Sequence, residues 1–402
     1  MKVLGIISEY NPFHRGHMYH IAESRRKSGC DYVIVVMSGS FVQRGEPAFF
    51  DKFTRAKWAL SNGADIVIEL PCVSVLSSAE FFADGAVSTL ASTGVVNMLS
   101  FGSEIDDIGI LNNIVGITAS AEFKKALSVE LASGKTYARS ISDALVSAGA
   151  NSELYEAVSC ANSTLGIEYL KAIKRRKLDI KPFAIKRVGV PHDAVAPCGS
   201  YSSASYIRDA LINNTDLDAI RECTTEDVFS YISSEDLNLS DYNTLFNLLR
   251  FKVLASTPEY LSQINGVSEG LENSIIRAAM NCDSYEEFLF FCKSKRYSMA
   301  RLRRVMMSIL LGIQSIDATT IRELGPKYIR VLGVRKNASA LLTAIAKESE
   351  LPIIIRNSDI HALSAPAYRL HSIDRYSYIL RQQLLMCKSG ISDEFGETFL
   401  TV

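Results

Sequence analysis

Short, continuously apolar runs alternate with longer segments of helical period along the first half of the chain. "VLGII" (residues 3–7) is apolar at every position and ends in polar residues, as a strand buried on both faces does. The same pattern predicts strands at residues 32–39 ("YVIVVMSG"), 65–71 ("DIVIELP"), 95–104 ("VVNMLSFGSE") and 180–188 ("IKPFAIKRV"). Helical patterns separate them: from about Gly16 to Lys27, over 52–62, over 78–92, and in a long stretch from 106 to 177. Strand, helix, strand at this spacing predicts an α/β fold with a doubly wound parallel sheet. The serine-rich "SSASYIRDAL" (residues 202–211) opens a further helix.

The pattern changes after about Asn214. Residues up to 315 read as amphipathic helices, and residues 327–355 as a small strand-helix-strand piece, with a helical tail from Ala365. Two regions follow: 1–214, carrying the βα pattern, and 215–402, mostly helical with a small α/β piece near 327–355. The 402 residues are 48% apolar, ample for large cores, and the formal net charge of −1 excludes a uniformly basic nucleic-acid binder. Eight scattered cysteines without a CxxC pair suggest neither a zinc ribbon nor a disulfide framework. With no secretory h-region and no apolar run of roughly 20 residues, the expectation is a cytoplasmic protein without membrane contact.

The chemistry concentrates in "EYNPFHRGHMYH", where His14, His17 and His20 recur at three-residue spacing around Gly16. Three readings apply. A metal site would want carboxylate or thiolate company, and no HExxH pattern exists, so no protein-held metal is expected. A packed helix end is the bland reading. The third is phosphate handling: a helix start directly behind a parallel strand presents unpaired amides where open α/β sheets bind ligands, and imidazoles there can donate to phosphate oxygens. A second stretch points the same way. Ser203 and Ser205 can cap the later helix and Arg208 can pair with phosphate one turn on.

His-x-Gly-His with a later serine-rich turn resembles HIGH-type, Rossmann-like nucleotidyltransferases. A KMSKS-like loop, as in aminoacyl-tRNA synthetases, has only a poor counterpart in "KSKR" (293–296). More specifically, "GIISEYNPFHRGHMYH", "MSGSFVQRGEPAFFDKFTRAKWAL", "GADIVIELP", "LSFGSE", "NSTLGIEYLKA", "IKRVG" and "SSASYIR" resemble the bacterial tRNA(Met) cytidine acetate ligases. "RVLGVRKNASALL" extends the likeness into the C-terminal region. The resemblance implies an enzyme that uses ATP, with Mg²⁺ on the nucleotide, to convert acetate to acetyl-adenylate. The acetyl group then passes to N4 of the wobble cytidine of elongator tRNA(Met).

It implies His14 and His17 as catalytic residues. For ATP binding it implies Ile7, Ser8, Glu9, Tyr10, Asn11, Pro12, Phe13, His14, Arg15, Gly16, His17, Met18, Tyr19 and His20, with Gly102, Asn162, Arg187, Ser203, Ser205 and Arg208. Gln43, Arg44 and Lys52, with Asp51 and Arg55 nearby, form a polar cluster that could face acetate or cytidine, or be a surface ion-pair network. Between Lys293 and Lys336 eleven Lys or Arg stand against two Asp or Glu, which makes Lys293, Lys295, Arg296, Arg301, Arg303 and Arg304 candidates for tRNA contact, with Tyr297 among them. The run 174–177 is a second basic stretch, which a solvated helix face would also explain. Two other readings share parts of this pattern: an adenylyltransferase acting on a phosphorylated small molecule, and a non-catalytic nucleotide-dependent RNA-binding protein.

Overall fold

The computed structural model describes residues 1–133, 137–150, 154–155, 158, 160–187, 202–213, 215, 217–234, 241–295, 297–385, 391–394 and 399–402. The apolar runs form strands β1 (Val3–Ser8), β2 (Tyr32–Ser38), β5 (Ile66–Leu70), β6 (Met98–Ser103) and β7 (Lys181–Lys186), and a short hairpin, β3 (Phe41–Val42) and β4 (Glu46–Pro47), follows β2. Helices α1 (Arg15–Ser28), α2 (Lys52–Ser61), α3 (Cys72–Val75) and α4 (Ala79–Ala91) connect the early strands. The long helical stretch resolves into helices that include Ile108–Ala119, Ala121–Ala132, Tyr137–Ser147 and Ala161–Arg175.

β5, β2, β1, β6 and β7 lie side by side and parallel. The chain moves outward from β1 through β2 to β5, then returns to the other side of β1 for β6. That reversal opens a crevice at the carboxyl ends of β1 and β6, where such sheets bind ligands. Alternate residues feed two cores. Val3, Ile34, Val36, Ile66 and Ile68 share one with Phe82, Val87 and Leu90 of α4. Leu4, Ile6, Val33, Val35 and Val67 share the other with Ile21 of α1 and Trp58 and Leu60 of α2.

The parallel-dominated sheet expected from the βα pattern is present, and the strand-helix-strand piece at 327–355 adds its strands to that sheet. β8 (Ile329–Val334) joins the main sheet antiparallel to β5, with Ile66 opposite Val334. β9 (Ile353–Ile354) and β10 (Leu400–Thr401) pair in parallel with β8. The reason is burial. All six residues of β8 are buried, and a two-stranded piece could not cover both faces of such a strand. The second region therefore completes the sheet of the first. Its helices, among them Tyr242–Leu254, Leu271–Asn281, Tyr285–Cys292 and Met299–Leu311, enclose a third core that also takes in Phe41, Cys72, Val73 and Leu76.

Ionic side chains seal this junction from inside. Lys52, fully buried, places Nζ 2.9 and 2.7 Å from the two oxygens of Glu69 and also bonds Glu394 from the far end of the chain. Arg381, on the long helix Ala365–Leu384, donates to the carbonyls of Ala48 (2.6 Å) and Phe49 (2.9 Å). Removing the lysine charge leaves two buried carboxylates facing each other. Lys52→Met should therefore lower unfolding stability by about 3–5 kcal/mol, read from a urea denaturation midpoint. A loss below about 0.5 kcal/mol, the range of ordinary surface changes, would contradict this account.

Candidate active site

The loop between β1 and α1 is shaped by its own side chains. His14 is the N-cap of α1, with extended backbone, and its Nδ1 accepts from the Gly16 amide at 3.1 Å. An accepting Nδ1 puts the imidazole proton on Nε2, which is then a donor. The ring folds so closely over Gly16 that a Cβ there would lie 2.9 Å from His14 Cε1. Gly16 thus makes room for the His14 ring while it also lines the cleft.

His17, one turn on, stacks on His14 with centroids 3.7 Å apart and meets Tyr10 edge-on at 4.8 Å. His20 Nε2 lies 3.1 Å from Ser100 Oγ on β6, which fastens α1 to the next strand. Burial, with Arg187 nearby, pushes the His14 pKa down to about 3 and the His20 pKa down to about 4. Burial, His14, Arg187 and His20 lower that of His17 well below its ordinary value. All three rings are neutral at physiological pH. The positive charge at the cleft comes from Arg44, Lys186, Arg187 and Arg208.

These groups line a cleft of about 280 Å³ at the β1–β6 reversal. On the β6–β7 side, Gly102 is the next-to-last residue of β6, and among the described residues Arg187 Cγ lies 3.5 Å from the position a Cβ would take. Asn162 lies between Glu104, to which it donates at 2.7 Å, and Arg187, from which it accepts at 3.4 Å. Glu104 also receives the Ser163 amide at 2.9 Å, anchoring the helix Ala161–Arg175 against the cleft. The roof is the start of the helix Ala204–Ile212. Ser203 caps it by accepting from the Tyr206 amide at 3.1 Å, and Arg208 donates to the Asn11 carbonyl at 2.7 Å. The two sequence motifs, some 190 residues apart, meet at that bond.

The opposite wall is the β3–β4 hairpin. The Gln43 amide donates to Glu9 Oε1 at 2.7 Å, and Gln43 and Arg44 line the cleft. Behind the hairpin lies the helix Met299–Leu311. Arg303 donates to Glu46 at 2.7 Å, Arg304 to the Gln43 carbonyl at 3.2 Å, and Gly45, with φ +79°, has Arg304 N only 2.5 Å from where a Cβ would stand.

Ile7, Ser8, Glu9, Tyr10, Asn11, His14, Gly16, His17, Tyr19, His20, Gly102, Asn162, Arg187, Ser203, Ser205 and Arg208 all reach the cleft. Four expected residues do not line it. Pro12 and Phe13 are buried, Met18 points outward, and Arg15 donates to the Thr224 carbonyl at 2.9 Å. Lys52 belongs to the buried ion cluster and not to a substrate pocket. Asp51 caps α2, and Arg55 is fully buried among backbone carbonyls. The pattern missed Phe82, Phe101, Leu165, Tyr169 and Ile185, which form an apolar wall. No local signal separates them from core residues. Glu46, inside the "QRGEPA" stretch, also lines the cleft.

The basic residues divide. Lys293 and Lys295 are exposed, and Arg296 lies outside the described residues. Arg301 sits 4.4 Å over the Tyr297 ring, but Tyr297 is buried and donates to the Ser268 carbonyl, so it offers no stacking platform. In the run 174–177, Arg175 and Arg176 both pair with Asp84. Among the described residues no cluster of three His, Cys, Asp or Glu is placed to hold a metal ion, and no helix is long and apolar enough to cross a membrane.

Fold and cleft together define a nucleotidyltransferase of the HIGH class, and residues 1–387 match the family described as HIGH Nucleotidyl Transferase. The chain is 40% identical over 370 residues to a tRNA(Met) cytidine acetate ligase of Acetivibrio thermocellus, covering 89% of each chain. It is 37% identical over 392 residues to that of Clostridium perfringens, covering 94% of this chain and 96% of the relative. A crystal structure of Thermotoga maritima TmcAL bound with alpha-thio ATP superposes with a TM-score of 0.89 at 31% identity, over 100% of both chains. The chain belongs to the tRNA(Met) cytidine acetate ligase family.

Two outcomes follow from the loop geometry. In an imidazole NMR titration from pH 8 to 5, His14 and His20 should stay neutral, because pKa values near 3 and 4 lie below the window; a midpoint near 6.5 would refute this. Gly16→Ala should evict the His14 ring and cost about 1 kcal/mol through the lost cap, visible as a changed His14 resonance and a lower melting temperature.

Proposed function

We propose that this cleft activates acetate with ATP and transfers the acetyl group to N4 of the wobble cytidine of elongator tRNA(Met), giving N4-acetylcytidine, AMP and pyrophosphate. The observation that carries the reading is the His14–His17 stack at the β1–β6 reversal, closed over by the Ser203–Arg208 turn in the same cleft. Membership of a family whose relatives bear the name tRNA(Met) cytidine acetate ligase supports the substrates.

Acetate is ionised at neutral pH, since carboxyl pKa values lie near 4. Its attack on the α-phosphorus needs alignment and charge stabilisation, not a base. Neutral imidazoles suit that task. The His14 Nε2 proton is donated to a phosphate oxygen as charge builds up, and no proton is lost to the cleft. Arg208, with Ser203 and Ser205 at a helix start, suits the departing pyrophosphate. Gly102, Asn162 and Arg187 suit the adenosine side, where a Cβ at Gly102 would stand 3.5 Å from Arg187 Cγ. Mg²⁺ accompanies the triphosphate through its oxygens.

The hairpin wall with Gln43 and Arg44 is the acceptor side. Lys293, Lys295 and Arg301 are the residues assigned to tRNA, while Arg303 and Arg304 hold the hairpin for it. Residues 215–402 thus act as the tRNA-binding region, and a tRNA substrate implies a cytoplasmic setting. A wobble base is unpaired in free tRNA and can be splayed into such a cleft.

Incubation with ATP, Mg²⁺, labelled acetate and bulk bacterial tRNA, followed by nucleoside digestion, should place label in N4-acetylcytidine. His17→Ala should lower that rate by on the order of 100-fold or more. Lys293→Glu with Lys295→Glu should raise the KM for tRNA and steepen neither acetate nor ATP dependence. Absence of labelled nucleoside, with adenylylation of a phosphorylated metabolite instead, would replace this reading with a cofactor-synthesising one.

A further inference from the structure

The proposed reaction has two steps, and the groups assigned above serve the first. In the second, a cytidine N4 amine must lose a proton as it is acylated, and a group in the cleft has to take it. Neutral histidines that act as donors to phosphate do not fill that role.

Glu9 stands where the two halves of the cleft meet. It follows the end of β1, the central strand, with the Gly102 and Arg187 wall on the β6–β7 side and the β3–β4 hairpin on the β2 side. Its Oε1 accepts from the Gln43 amide at 2.7 Å, which turns the carboxylate toward the hairpin. Its other oxygen has no hydrogen-bond partner among the described residues. Its backbone carbonyl is held by Arg55 at 2.6 Å, which fixes the stem of the side chain at the mouth of β1.

Resting on the function proposed above, we infer that the Glu9 carboxylate is the proton acceptor of the acetyl-transfer step. The N4 lone pair attacks the acetyl carbonyl carbon, and a C–N bond forms. The Glu9 oxygen that does not accept from the Gln43 amide takes an N4 proton. The bond between the acetyl carbon and the AMP phosphate oxygen then breaks, AMP leaves with the electron pair, and Glu9 returns its proton to solvent. A carboxylate is also the side-chain group that accepts from cytosine N4 in base recognition, so the same oxygen can orient the acceptor before it reacts.

The competing bases are less suited. Glu46 is engaged by Arg303 at 2.7 Å. His17 carries a buried Nδ1 without a partner among the described residues, but burial beside His14 and Arg187 makes it a weak proton acceptor. At Glu9 burial acts the other way and raises the pKa, opposed by the Gln43 amide and by Arg55 of α2, Arg208 of the roof helix and Arg44 of the hairpin. Tyr169, from the helix Ala161–Arg175, is the remaining titratable group that faces it. A raised carboxylate pKa makes a stronger base, and one that is lost as pH falls.

The test separates the two steps. Acetyl-adenylate is first formed on the enzyme, then mixed with tRNA, and single-turnover transfer is followed as a function of pH; acetate-dependent pyrophosphate exchange reports the first step. The amide oxygen of Glu9→Gln can still accept from Gln43. Transfer in Glu9→Gln should fall by about 100-fold or more and lose its rise with pH, while exchange falls by less than about tenfold. Glu9→Asp should restore part of the rate and the pH dependence. Equal loss in both steps, or a pH dependence that survives in Glu9→Gln and vanishes in His17→Ala, would overturn the assignment. Failure of the wild-type enzyme to form acetyl-adenylate would instead overturn the reading of function beneath it.

Discussion

The cleft depends on one buried guanidinium. Arg55, fully enclosed, donates to the carbonyls of Phe50 at 2.9 Å, Glu9 at 2.6 Å and Ser38 at 3.0 Å, and to that of Gly39. Those carbonyls end β1, end β2 and precede α2, and the sheet itself cannot pair them because the strands stop there. A buried carbonyl without a partner costs roughly 1–3 kcal/mol, so a planar donor with five N–H groups is a way to hold several loop carbonyls at once. The arrangement fixes the backbone of Glu9 and the root of the hairpin that opposes it.

Around this fixed floor the electrostatics separate by function. The imidazoles are kept neutral by burial and by neighbouring positive charge. The cations that line the cleft include Arg187 at the sheet edge, Arg208 on the roof helix and Arg44 on the hairpin. A cleft lined with imidazolium rings would have to desolvate several like charges within a few ångströms. Neutral rings supply hydrogen bonds without that repulsion.

The hairpin between β2 and α2 belongs to both regions of the chain. Its inner side meets Glu9, and its outer side is packed by the helix Met299–Leu311 through Arg303, Arg304 and the close approach at Gly45. Displacement of that helix would reach the hairpin wall of the cleft directly. The buried Lys52–Glu69–Glu394 cluster and the antiparallel β8 tie the second region to the sheet at this junction.

Much of this was legible in the linear chain. The apolar runs named β1, β2, β5, β6 and β7, because a strand buried on both faces must be apolar at nearly every position. The His14–His17 spacing and the Ser203–Arg208 turn were visible as two helix starts, because local backbone geometry alone creates a helix start. Charge was less legible: Lys52, Arg55, Arg175 and Arg176 read as surface or substrate groups, and their burial or pairing depends on partners such as Glu394 and Asp84 far along the chain. The apolar wall of the cleft could not be told from core, since Phe101 and Tyr169 obey the same periodicity as their packed neighbours. The sequence by itself determined the strands, the two motifs and the class of chemistry, all set by interactions within a few residues. Only the tertiary structure decided that β8 completes the sheet, that burial holds the histidines neutral and that the Glu9 carboxylate meets the β3–β4 hairpin, because burial and the pairing of distant charges exist only once the chain has closed on itself.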